Sequence, residues 1–80
     1  MPENPYEPPK DIEMILGSPQ ERDELIVQFF VKDGAQWGEL YRENGRWLIE
    51  VFPDAKLVFD AALLCEVVTK ALNELKDRLE

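Results

Sequence analysis

The residue types that carry most enzyme chemistry are almost absent from this chain. It has no histidine, and Ser18, Thr69 and Cys65 are its single serine, threonine and cysteine. A nucleophile of any of these kinds needs a base to activate it, and without imidazole neither a Ser/Cys–His arrangement nor the usual zinc ligand sets can form. Ser18 precedes Pro19 and reads as a helix cap. Cys65 falls at the margin of an apolar helical stripe, where a small buried hydrophobe is the simpler reading. What is left is carboxylate chemistry. The strand register derived below sets Glu39 directly opposite Glu50, and like charges across a sheet repel. Two such carboxylates can divide the roles of general acid and base; the plainer reading is that both reach solvent or meet Lys or Arg from a partner. No glycine-rich phosphate loop or calcium-loop spacing occurs. No catalytic, cofactor-binding or metal-binding residue is therefore assigned, and a protein without catalytic activity is expected.

The elements that would position Glu39 and Glu50 lie between Glu24 and Phe52. Three runs of strand-type residues are separated there by Asp33-Gly34 and Asn44-Gly45. Both dipeptides suit the two-residue hairpin turn, whose central residues need positive φ. A turn at Asp33-Gly34 pairs Lys32 with Ala35, Phe30 with Trp37 and Val27 with Leu40. A turn at Asn44-Gly45 pairs Arg42 with Trp47, Leu40 with Ile49, Gly38 with Val51 and Trp37 with Phe52. The two registers agree on which side chains share a face.

One face collects Leu25, Val27, Phe29, Val31, Leu40, Trp47, Ile49 and Val51, interrupted by Gly38. The other carries an aromatic row of Phe30, Trp37 and Phe52 and a second row of Ile26, Tyr41 and Leu48, with Gln28, Glu39 and Glu50 between them. An antiparallel sheet ordinarily buries one face and wets the other, so two apolar faces imply two covers. The aliphatic face is matched by a helix. From Ala61 to Leu79, Leu64, Val67, Val68, Ala71, Leu72, Leu75 and Leu79 form one apolar stripe, Asp60 stands at the cap position, and Glu66, Lys70, Glu74 and Arg78 follow at four-residue intervals.

Outside this core the pattern is weaker. Residues 1–10 hold four of the six prolines and read as a flexible tail. Residues 11–16 alternate as a short strand does but also fit a helical turn ended by Gly17. Ser18-Pro19-Gln20-Glu21 reads as a capping box, and residues 56–59 offer a short strand. The expected fold class is α+β over residues 11–80: an antiparallel three- to four-stranded β-meander packed on one long C-terminal α-helix.

Seventeen acidic and nine basic residues give a net charge of −8, which opposes binding to nucleic acid or anionic membranes and attracts basic partners. With one cysteine no internal disulfide can form, and no apolar run approaches the length of a membrane span; a cytoplasmic protein is expected. The order Ile15-Leu16-Gly17-Ser18-Pro19, Asp23-Glu24-Leu25, alternating meander and C-terminal amphipathic helix resembles small acidic bacterial proteins of the immunity or antitoxin-like kind. That resemblance implies binding and neutralising a cognate basic protein with no chemistry of the chain's own. The residues expected to meet such a partner are Ile26, Gln28, Phe30, Trp37, Glu39, Tyr41, Leu48, Glu50 and Phe52, since an apolar patch of this size is more than a monomer usually exposes. The alternative is a homodimer whose apolar sheet face serves only self-association, with a carboxylate-dependent enzyme the remotest reading.

Overall fold

The structure is a computed structural model that describes residues 8–20 and 23–80. Four strands, β1 (Ile12–Gly17), β2 (Ile26–Val31), β3 (Gln36–Glu43) and β4 (Arg46–Val51), are followed by one helix, α1 (Ala61–Leu79). The strands form a single antiparallel sheet in the order β1-β2-β3-β4, each beside its sequence neighbour. The α+β meander expected from sequence is thus present, and the alternation in residues 11–16 resolves as a strand. Its Ile12, Met14 and Leu16 stand opposite Val31, Phe29 and Val27. Most of the proline-rich tail, and Glu21 of the capping box, lie outside the described residues.

The β3–β4 turn follows from its residues. Asn44 and Gly45 have φ of 54° and 76°, the double positive φ that a two-residue hairpin demands, and Glu43 pairs with Arg46 immediately beyond. The β2–β3 turn does not close as Asp33-Gly34 suggests. Only Asp33 takes a positive φ, at 59°, which a short polar side chain tolerates. The Gly34 N–H donates to the Val31 carbonyl at 2.7 Å and the Val31 N–H to the Ala35 carbonyl at 3.0 Å, so the loop comprises Lys32, Asp33 and Gly34. The register shift is absorbed by a β-bulge: Phe30 faces Gln36 rather than Trp37, while Phe29 opposite Gly38 and Val27 opposite Leu40 keep the expected register.

The core lies between the sheet and α1. Val27, Phe29, Trp37, Leu40, Ala71 and Leu75 are buried together, and Ile12, Met14, Val31, Leu64, Val67, Val68 and Leu72 pack around them. The helical stripe therefore covers the aliphatic face, as its spacing predicts. Asp60 caps the helix by accepting from the Leu63 N–H at 2.9 Å, satisfying one of the amides left orphaned in the first turn. Arg78 and Glu74 of the four-residue ladder meet at 3.5 Å. Two expectations fail here. Residues 56–59 form no strand: Leu57 and Phe59 contribute side chains to the core, and the backbone of this run is tied to the sheet's start by the Lys10 N–H donating to the Val58 carbonyl at 2.7 Å. Cys65 is exposed rather than buried, because the stripe centres on Ala71 and Leu75 and turns Cys65 outward beside Glu66 and Thr69. Among the described residues, no helix is long and apolar enough to cross a membrane.

Leu75 is fully buried at the centre of this interface. Leu75→Ala is expected to lower stability by about 2–5 kcal/mol through the cavity it leaves, measurable by chemical denaturation; a loss below about 1 kcal/mol would mean that the helix does not pack on the sheet as described.

Candidate partner-binding face

The residues singled out as a docking surface do not all share one face. Trp37 is the exception, and the bulge is the reason. With Gln36 occupying the place opposite Phe30, the next side chain turns inward. Trp37 is 5% exposed and stacks on Phe29 with ring centroids 5.1 Å apart, while Phe59 lies against it at 5.0 Å. The expected aromatic row of Phe30, Trp37 and Phe52 is therefore broken at its middle. Its backbone half survives, for the Phe52 N–H donates to the Trp37 carbonyl at 2.9 Å. Gly38, which interrupts the aliphatic face, has a local reason: a Cβ there would stand 2.8 Å from the Glu50 carbonyl oxygen, so the close approach of β3 and β4 needs a residue without one.

The remaining candidates occupy the face turned away from α1. Strand register sets Ile15, Gln28, Glu39 and Glu50 in one row across the sheet, and Gly17, Ile26, Tyr41 and Leu48 in the next. Glu39 stands opposite Glu50, as the turn spacing predicts, and the Glu39 carboxylate accepts from the Gln36 side-chain amide at 3.3 Å. Ile26 is 1% exposed and serves as the floor of this face, whereas Gln28, Phe30, Glu39, Tyr41 and Leu48 are half-buried and Glu50 is exposed. Phe52 follows the end of β4 and is exposed. β1 adds Glu13 beside Phe30 and an exposed Ile15 beside Gln28. Neither residue was singled out from sequence, although the alternation of residues 12–16 contained them.

A second polar constellation was missed. Arg42 sits opposite Trp47 on the helix side of the sheet, its guanidinium 5.6 Å from the indole ring. It donates from Nε to Glu24 Oε1 at 3.2 Å and from Nη2 to Glu24 Oε2, a two-pronged pairing that fits the planar fork. The signal was available, since a cation on an otherwise aliphatic face requires a counter-charge. The Arg42 hydrogen bond holds the Glu24 carboxyl below the usual glutamate range, burial opposing it, and the same bond raises Arg42 further above its already high value. Chemically, the two constellations offer carboxylates, one guanidinium and hydrogen bonding. No group of three His, Cys, Asp or Glu side chains among the described residues could hold a metal ion.

No family model matches the chain, and neither a curated protein nor a solved structure does.

Two expected outcomes follow from this geometry. Trp37→Ala lowers stability by about 3–5 kcal/mol as a core truncation does, and Phe30→Ala by clearly less, as denaturant titration of both variants would show. The Glu24–Arg42 pair contributes in full above the ordinary glutamate value of 4.5. Because the folded-state value is depressed, this contribution is lost as pH falls through it. Glu24→Gln should be less stable than the parent at neutral pH, and the gap should close in acid; a gap unchanged by pH would exclude a role for the charged pair.

Proposed function

We propose that this chain is a non-catalytic protein-interaction module that docks a basic protein partner on the sheet face opposite α1. The observation that carries the reading is the one-sidedness of the fold: the single described helix lies on the other side. The face away from it presents the apolar groups of Ile15, Phe30, Tyr41 and Leu48 in one plane with the carboxylates of Glu13, Glu39 and Glu50. Partly exposed aromatic and aliphatic side chains interleaved with charge suit an interface in which a few rings anchor and the charges steer approach. The net charge of −8 selects a cationic partner by long-range attraction. The resemblance to immunity or antitoxin-like proteins supports the same reading, in which the partner is bound and thereby neutralised. Gln28, Phe30, Glu39, Tyr41, Leu48 and Glu50 make the contact, with Ile26 beneath them and Phe52 at the margin; Trp37 supports the sheet from behind.

A Lys/Arg-rich peptide titrated into the isotopically labelled chain tests this. Amide shifts should concentrate at residues 28, 30, 39, 41, 48 and 50 and fade as salt shortens the Debye length from about 10 Å at 0.1 M to about 3 Å at 1 M. Glu39→Lys with Glu50→Lys should abolish them while leaving the circular dichroism spectrum intact. Shifts confined to the outward side of α1, around Glu66, Thr69 and Asn73, would overturn the proposal.

A further inference from the structure

The far edge of the sheet shows a mismatch between the apolar surface it carries and the cover it receives. α1 packs against β1 and β2, so two of the three helix-side apolar residues of β4 lie beyond it: Ile49 is 44% exposed and Val51 60%, while Trp47 still packs at the margin of the core. The hydrogen-bonding pattern gives the direction of the β4 backbone. The two-residue turn pairs Glu43 with Arg46, and the Phe52 N–H reaches Trp37. Even-numbered residues of β4 therefore bond toward β3, and Trp47, Ile49 and Val51 aim their N–H and C=O groups outward. The residues with outward backbone groups are the same ones whose apolar side chains lie on the helix side. An edge with unpaired backbone groups beside exposed apolar side chains is a template for another strand.

We propose that β4 pairs antiparallel with β4 of a second copy of this chain, across a two-fold axis passing through Leu48. The charge pattern of the strand selects this occupant and this register. Arg46 and Glu50 lie symmetrically about Leu48, so Arg46 of each copy falls directly opposite Glu50 of the other, an opposite-charge pair that stabilises a sheet. Glu50 keeps the interaction it makes within its own chain and gains the second copy's cation. Trp47 falls opposite Ile49 of the second copy on the helix side, and Val51 becomes the diagonal neighbour of its Trp47. Leu48 meets Leu48 on the other side. Centring on Ile49 instead would set Arg46 against Phe52 and Glu50 against Leu48, leaving both charges beside apolar groups. Shifting by a single residue would set helix-side against opposite-side chains. The Leu48-centred pair joins two sheets into one of eight strands, with both helices on the same side.

Sedimentation of the intact chain from micromolar to millimolar concentration should show a reversible dimer. Arg46→Glu should make it monomeric, and adding Glu50→Arg should restore the dimer. In a Cys65→Ser background, Leu48→Cys should form an intermolecular disulfide on mild oxidation, because residues opposite each other in a non-hydrogen-bonded pair lie within disulfide reach, whereas Arg46→Cys should not. A monomer throughout, a dimer indifferent to Arg46→Glu, or equal cross-linking at both positions would overturn the proposal.

Discussion

One extra residue in β3 decides where the Trp37 ring ends up. Because Gln36 and Trp37 together oppose Phe30, the indole is turned from the face it would occupy in a regular ladder and closes the core between Phe29 and Phe59. Burying a ring of that size contributes on the order of 2–3 kcal/mol, and its contact with Phe59 ties the sheet to the segment preceding α1. The arrangement has a local penalty: the Trp37 indole N–H is buried with no hydrogen-bond partner among the described residues, which costs about 1–3 kcal/mol. The stacking on Phe29, the tilted contact with Phe59 and the removal of the ring from water offset it.

Once Trp37 belongs to the core, the two faces of the sheet become unlike. The helix side is aliphatic and aromatic beneath α1, with the Arg42–Glu24 pair at its margin and Ile49 and Val51 exposed beyond it. The opposite side is the mixed surface expected of an antiparallel sheet with one wet face, its apolar groups interleaved with Gln28, Glu39 and Glu50. That distinction separates the two proposed modes of association. The mixed face suits a charged, heterologous contact, and the β4 edge suits a symmetric one made by backbone pairing. Neither competes with the other for side chains except at Leu48 and Glu50.

Much of this architecture was legible before any coordinates. Asn44-Gly45 specified its turn because both residues tolerate positive φ, and the register beyond it, including Glu39 opposite Glu50, followed by counting. Asp60 and the stripe through Ala71 and Leu75 located the helix and its buried side. Asp33-Gly34 misled because an Asx-Gly pair suits more than one loop length, and the difference of one residue sufficed to move Trp37 across the sheet. Nothing in the local residues announces a bulge. Its signal is tertiary, the gain in burying an indole beside Phe29. The exposure of Ile49 and Val51 was hidden for a similar reason: the stripe says which side of α1 is apolar, not which strands it lies across.

The order of the elements along the chain also governs how the protein must assemble. Every strand pairs with its immediate neighbour, so the sheet can zip through contacts of short sequence separation, the kind that form quickly. The helix, last in the chain, docks on β1 and β2, the strands most distant from it in sequence. The meander can therefore pair while Val27, Phe29 and Leu40 still face water, and their shelter arrives only when residues 61–79 dock. Until the helix docks, the sheet presents its most apolar surface to solvent, the condition under which partly folded chains associate.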